Sequence, residues 1–169
     1  MLEQLVKELE SNYSIYDHHH KNGHVYSYIT ISNRKIVSDI MSHGCLPRKS
    51  FTCEFPLALS THLIPSFLRG YFDGDGCITI RKYNNKPYKY PNVNICCSYA
   101  FGTTAKNILN SLFDIRFSMH KSRSIYCISS CNKQAYMFME MIYGDSLCPK
   151  LIRKFEKWQS IKEWYKPSR

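Results

Sequence analysis

The residues best suited to chemistry are two acids at the end of Phe67-Leu68-Arg69-Gly70-Tyr71-Phe72-Asp73-Gly74-Asp75-Gly76-Cys77-Ile78. An apolar helical run leads into Asp73 and Asp75, which one glycine separates. Gly70 and Gly74 are four residues apart, so they share a helix face and let another helix approach closely. Asp75 falls at or just past the helix C-terminus, the negative end of the helix dipole. A carboxylate held against that gradient is suited to a site where a cation binds. Hard oxygen ligands fit Mg²⁺, which prefers few carboxylates combined with phosphate oxygens. A solvated Asp-Gly turn is the plainer alternative. A calcium loop is excluded, because its third ligand would be Cys77 and its obligatory central glycine would be Ile78.

Two other sets of side chains could ligate metals. His18, His19, His20 and His24 surround an Asn22-Gly23 turn, and a histidine-rich turn of this kind is ordinarily solvated. No strand-helix acid and second histidine follow at the spacing of a His-Asn-His nuclease. The eight cysteines include no C-x-x-C pair, which argues against a zinc ribbon or finger. Six of them lie in apolar or alternating stretches and read as reduced packing groups.

The elements that must carry the acids follow from periodicity. Residues 2–11 repeat leucine and valine at helical spacing. Tyr13–Asp17 and Val25–Ile31 alternate as strands around a turn at 18–23, and Ile36, Val37, Ile40 and Met41 mark a helix stopped by Gly44. Cys45–Ser60 reads as extended linker. Pro65 is a good first-turn residue for the helix that ends in the acids. Strands are expected at Cys77–Tyr83 and Tyr88–Tyr99, then a helix at Thr103–Phe113. Further strands are expected at Arg116–Met119 and Ser124–Ser129, a helix at Gln134–Ile142, and a final basic helix at Pro149–Tyr165.

The chain has 169 residues and a mass of 19.9 kDa, with a formal net charge of +10. The excess charge is segregated. Residues 1–76 hold seven basic and eight acidic residues, 77–134 hold nine and one, and 147–169 hold seven and two. The middle block interleaves its cations with Tyr83, Tyr88, Tyr90, Tyr99 and Tyr126, a composition that suits a polyanion with bases to contact; a merely soluble basic surface has the same arithmetic. No run approaches the ~20 apolar residues of a membrane helix, and the N-terminus lacks the apolar centre of a secretory signal. An unsecreted protein with no membrane partner is expected, in the cytoplasm of a bacterial or phage-host cell or in an organelle matrix.

A partial internal repeat is visible. Residues 2–44 and 104–144 both run helix, strand, turn, strand, helix, glycine, and Tyr28–Lys35 resembles Tyr126–Lys133. Residues 64–144 therefore form a full unit, whereas the N-terminal segment repeats only its back half.

Leu68-Arg69-Gly70-Tyr71-Phe72-Asp73-Gly74-Asp75-Gly76 resembles the signature of the LAGLIDADG homing endonucleases. Gly44-Cys45-Leu46-Pro47-Arg48-Lys49-Ser50 with Phe55-Pro56 resembles the link between repeats in bacterial and phage members, and Leu151–Trp158 resembles their closing basic helix. The resemblance covers residue 34 to about residue 160. It implies an α+β fold: an αββαββα unit with a curved antiparallel sheet lying in the DNA major groove, here with a partial N-terminal repeat. The expected organisation is a partial repeat over 1–50, a linker over 51–64 and a DNA-binding nuclease unit over 65–169.

By the same resemblance Asp75 matches the metal-binding catalytic acid, with Mg²⁺ or another divalent cation as cofactor. Asp73 matches a helix-end structural acid. Gly70, Gly74, Phe67 and Tyr71 match the close-packed helix interface. Lys150, Arg153 and Lys154 are candidates for the basic residue that polarises water or for phosphate contacts. Alternation puts Cys77, Thr79, Arg81 and Tyr83 on the DNA face with Ile78 and Ile80 behind them. On the next strand Asn92, Asn94, Cys96 and Ser98 face DNA, with Val93, Ile95, Cys97 and Tyr99 in the core. Arginine can bond guanine edges and asparagine adenine edges in a major groove. Lys86, Lys89, Lys121 and Arg123 complete the expected DNA contacts, and Thr103 or Ser98 could orient the water.

About 64 residues precede the one motif, which matches neither a single-motif member nor a complete two-motif member. The expected function is a metal-dependent, site-specific double-strand DNA endonuclease acting as a homodimer. The alternative is a DNA-binding or intron-splicing protein of the same fold, with intron RNA as a further partner, that does not cleave.

Overall fold

The computed structural model describes residues 2–47, 51–82, 88–144 and 148–167. Its first elements are α1 (Leu2–Glu8), β1 (Tyr16–His19), β2 (Val25–Tyr28) and α2 (Arg34–Ser42). After a 3-10 turn at Thr61–Leu63 come α3 (Ile64–Asp75), β3 (Gly76–Lys82), β4 (Lys89–Cys97) and α4 (Tyr99–Phe113). β5 (Ser118–Ser122), β6 (Ile125–Cys131), α5 (Asn132–Tyr143) and α6 (Ile152–Trp164) complete the chain. The order from α3 is αββαββα, with α6 added.

β3, β4, β6 and β5 form one antiparallel sheet in that spatial order. Register assigns its faces. Ile78 pairs with Val93, Val93 with Ser130, and Ile95 with Ile128. These residues point toward the helices. Together with Leu68 and Phe72 of α3, Phe101, Ala105 and Leu109 of α4, Phe138, Met139 and Ile142 of α5, and Trp158 and Ile161 of α6 they make the buried core. Gly102 lets α4 descend onto the sheet: a Cβ there would stand 2.9 Å from both the Cys97 and Met119 sulfurs.

Local chemistry fixes the helix ends. Pro65 occupies the first turn of α3, where its missing N–H has no helical partner to lose. Ser98 caps α4 by accepting the Phe101 N–H at 3.1 Å. Asn33 caps α2 through the N–H groups of Lys35 and Ile36. These two polar side chains each satisfy donors that a helix start leaves without partners.

Several boundaries differ from the sequence expectation. β1 continues through His18 and His19, so two of the four histidines lie on a strand and the turn narrows to the residues around Gly23, whose φ is +82°. α4 begins at Tyr99 rather than Thr103 because the Ser98 cap starts it early. Tyr99 is therefore exposed at a helix start, not a core strand residue. Ile80 is exposed as well, since β3 outruns the helices behind it. The link before α3 joins the core: Phe55 is buried against Phe67 and Phe101, at ring distances of 5.2 and 5.5 Å.

The N-terminal elements contrast with this packing. α1 and α2 bury no residue, and every residue of β1 and β2 is exposed. Tyr16 pairs with Tyr28 and His18 with Tyr26 across the ribbon, which leaves an aromatic row in solvent. No helix among the described residues is long and apolar enough to cross a membrane.

Candidate metal-binding acid and nucleic-acid interface

α3 carries three charged groups near its end, Arg69, Asp73 and Asp75, and the structure divides them sharply. Arg69 and Asp73, one helical turn apart, are both buried. The Arg69 guanidinium donates to the carbonyls of Ile142 and Pro149, each at 3.0 Å, and to Ser66 Oγ at 3.2 Å. Asp73 accepts the Tyr143 hydroxyl and, at 2.9 Å, the Leu151 N–H. Burial, reinforced by the hydrogen bond to Asp73, pushes the Tyr143 phenol far above its ordinary range. This pair of side chains bolts α3 to the end of α5 and the start of α6.

Lys154 of α6 lies at the end of α3, beside the motif acids. It is 5% exposed. Its Nζ reaches down onto the end of α3 and donates to the carbonyls of Phe72, Asp73 and Gly76 at 2.6, 2.9 and 2.5 Å. A helix C-terminus presents carbonyls without helical partners and a negative dipole end, and an ammonium answers both. Burial and the neighbouring Arg153 lower the Lys154 ammonium from its ordinary value, partly opposed by Asp73, Cys77 and Asp75. Its three protons are engaged by these carbonyls, so in this structure Lys154 braces the end of α3. Lys150 is half-buried with its Nζ 4.3 Å from the centre of the Phe155 ring, and Arg153 is exposed on the first turn of α6.

Asp75 differs from these braced residues. It is exposed and makes no hydrogen bond or ion pair among the described residues. Gly76, immediately after it, is half-buried under Phe72, whose ring would collide with any Cβ at that position. Gly70 and Gly74 have nothing within 4 Å of where a Cβ would be, so that strip of α3 is open. Phe67 and Tyr71 flank it but turn inward: Tyr71 stacks on Phe101 at 4.1 Å and donates to the Cys96 carbonyl at 3.3 Å. A groove of about 350 Å³ borders the strip, lined by His43, Gly44 and Cys45 after α2 and by Phe67, Gly70 and Tyr71 of α3.

The outer face of the sheet is set by the same registers. It presents Cys77, Thr79 and Arg81 on β3, Tyr90, Asn92, Asn94 and Cys96 on β4, Cys127, Ser129 and Cys131 on β6, and Ser118, His120 and Ser122 on β5. Thr79, Arg81 and Asn94 are thus where the alternation put them. Asn92 is on the expected face but 6% exposed, with its amide donated to Thr79 Oγ1 at 3.3 Å. Ser98 is not a DNA-facing residue: as the α4 cap it is buried, and its hydroxyl donates to the Cys53 carbonyl at 2.5 Å. Lys89 belongs to the helix side, with its Nζ 4.1 Å from the Trp164 ring centre. Lys121 sits opposite Tyr126, in the helix-side set, and is exposed on the edge strand. Arg123 is exposed in the β5–β6 turn with φ +56°. Tyr83 and Lys86 lie outside the described residues. Thr103, buried in part, has no hydrogen-bond partner for its hydroxyl among the described residues.

Sequence reading missed Arg69, Tyr143 and His120. An arginine and an aspartate four apart on an apolar helix face signal buried polar groups that other elements must satisfy, as α5 and the start of α6 do here. His120 follows from alternation once β5 is placed two residues later.

No protein-family model matches the chain, and no curated protein matches it. Solved structures do. The homing endonuclease I-WcaI bound to its DNA recognition sequence is similar with a TM-score of 0.55 at 16% identity, over 85% of this chain and 65% of that one. The N-terminal LAGLIDADG domain of DUF199/WhiA is similar with a TM-score of 0.51 at 17% identity, over 93% and 69%. The chain has the LAGLIDADG fold. Full-length DUF199/WhiA from Thermatoga maritima gives a TM-score of 0.52 at 20% identity, over 99% of this chain and 49% of that one. The chain therefore spans from about half to 69% of the length of these LAGLIDADG structures. In LAGLIDADG terms α3 is the motif helix, and its braced end and open glycine strip are the features that position Asp75.

Proposed function

We propose that the chain is a divalent-metal-dependent, site-specific DNA endonuclease that acts as a homodimer on double-stranded DNA. The carrying observation is Asp75, exposed and without a hydrogen bond or ion pair among the described residues, at the end of a braced helix beside a glycine strip open to a second helix. Among the described residues no three His, Cys, Asp or Glu converge on a metal position. A single carboxylate fits a hard cation whose remaining ligands are water, phosphate oxygens and the Asp75 of a second copy. Asp75 would hold such an ion, Mg²⁺ among the candidates, which supplies Lewis-acid activation of water and stabilises the leaving oxygen.

The protein's own part is geometric. Arg69, Asp73 and Lys154 fix the end of α3 against α5 and α6, and this fixes the height of Asp75 relative to the outer sheet face. That face supplies Arg81 and Asn94 for base edges, with Arg123, Lys121 and Arg153 available to phosphates at its margins. The similarity to I-WcaI, which is bound to its DNA recognition sequence, supports DNA as the partner. Two α3 helices packed through Gly70 and Gly74 about a two-fold axis would bring one acid to each strand and favour a roughly palindromic site.

The second reading is a LAGLIDADG protein that binds DNA, or intron RNA, and does not cut. The lone acid per chain favours it if no second copy binds. A randomised plasmid library incubated with Mg²⁺ or with EDTA separates the two. The first reading expects Mg²⁺-dependent cleavage that Asp75→Asn abolishes while binding persists. Full activity of Asp75→Asn would remove Asp75 from the chemistry, and binding without cleavage in Mg²⁺ would establish the second reading.

A further inference from the structure

The outer sheet face carries a thiol pair that the proposed nuclease chemistry does not use. Cys96 on β4 and Cys127 on β6 are Cα partners in the antiparallel register, and their Sγ atoms are 3.6 Å apart. Both are free thiols; Cys96 is exposed and Cys127 is 9% exposed beside it. Their row continues to His120 on β5. Cys97, next in sequence, points to the opposite side and is buried in the core, so it cannot take part. The pair also adjoins the end of α3, where the Cys96 carbonyl accepts the Tyr71 hydroxyl, and burial, then the contact with Cys127 and the Asp75 charge, hold the Cys96 thiol above its ordinary value.

We propose that Cys96 and Cys127 form a redox modification site on the DNA-reading face, converted by a peroxide to a cross-strand disulfide that weakens DNA binding. The effect on binding rests on the reading that this face contacts DNA. Hydrogen peroxide reaches Cys96, the exposed member. The Cys96 sulfur attacks one peroxide oxygen, the O–O bond breaks, the thiol proton leaves with the departing oxygen as water, and a sulfenic acid remains. The Cys127 sulfur then attacks Cys96 Sγ; the S–S bond forms, the S–O bond breaks, and a second water carries off the hydroxyl and the Cys127 proton. Two thiols are oxidised by two electrons and one peroxide is reduced to two waters. The sulfurs must close from 3.6 Å to a bond of ~2.05 Å. Side-chain rotation closes that gap within the spacing of paired strands, and the bridge locks β4 to β6 beside Asn94, on the strand whose Cys96 carbonyl accepts the Tyr71 hydroxyl. A dithiol reductant reverses it.

The test uses the full chain, treated with excess hydrogen peroxide or with a phosphine reductant. Disulfides are mapped by mass spectrometry of non-reduced peptides, and affinity for a library-selected duplex is measured at one salt concentration. The expected result is a linked Cys96–Cys127 peptide as the main product and a loss of affinity of at least about tenfold, restored by reductant. Cys127→Ser should keep its affinity in peroxide. Peptides showing these two cysteines unlinked, a linked pair with unchanged affinity, or an equal loss in Cys127→Ser would each overturn the proposal. If the reduced protein binds no duplex, the nuclease reading fails and with it the effect on binding, while peptide mapping still decides whether the dithiol site exists.

Discussion

Replacing Lys154 with methionine removes an ammonium while keeping nearly the same length and bulk. Three contacts go with it, to the carbonyls of Phe72, Asp73 and Gly76. A hydrogen bond involving a charged group contributes ~1.5–3 kcal/mol, so the gross loss is large. Two effects reduce it. The Phe72 carbonyl keeps the backbone N–H of Gly76, and methionine carries no desolvation cost of the kind that lowers the Lys154 ammonium. Two carbonyls, those of Asp73 and Gly76, then lose the lysine partner. The net cost is about 3 kcal/mol at an unsatisfied-group penalty of ~1–3 kcal/mol each. For a chain of this size that is a fall in melting temperature of roughly 6–12 °C. Calorimetry measures it directly, and plasmid nicking at a temperature where both proteins are folded gives the functional half. Nicking should be reduced through misplacement of Asp75, with DNA affinity kept. A variant that melts within about 2 °C of the parent and has lost all cleavage would refute this argument and return Lys154 to the chemistry.

Three further outcomes are expected. Gly70→Leu adds a side chain where nothing stands within 4 Å; it should stabilise the single chain by up to ~1 kcal/mol through helix propensity yet prevent pairing of α3 helices, as sedimentation velocity on and off DNA would reveal. Tyr143 has its phenol raised above the ordinary 10.0, so its stabilising contribution is complete below pH 10 and declines as pH climbs past it; urea midpoints should fall more steeply there for the parent than for Tyr143→Phe, and parallel curves would contradict this. Arg81→Ala should cost ~1–3 kcal/mol at one base position if the guanidinium reads guanine, whereas uniform weakening on all sequences, with a shallower salt dependence, would mark a phosphate contact.

The parts of the fold legible in the sequence were those that periodicity alone determines. The motif helix, the alternation of β3 and β4, and the open Gly70 and Gly74 strip all followed from spacing. Helix starts were less legible, because Ser98 acts through one hydrogen bond that alternation cannot distinguish from a strand residue. Cation roles were least legible. Lys89, Lys150 and Lys154 read as three nucleic-acid or catalytic lysines, yet one covers Trp164, one covers Phe155 and one closes a helix end. Their partners lie far away along the chain or, for Phe155, on an aromatic face, and nothing in local charge reveals either. Asp73 and Asp75 show the same limit at two residues' separation: identical chemistry, one facing Tyr143 and one facing solvent.

That separation of the two acids bears on how a protein that cuts DNA through Asp75 would lose that activity over generations. Arg69, Asp73 and Gly76 are held by folding, since each meets neighbours that a substitution would disturb. Asp75 is exposed and makes no hydrogen bond or ion pair among the described residues, so folding places no such demand on it. Once selection for cutting DNA lapses, drift would erase Asp75 first and leave the rest of the signature readable for as long as the chain still folds. On the proposed reading, a lineage of silent descendants would therefore keep nearly the whole motif, and Asp75 is the position at which a cutting copy and a silent one would differ.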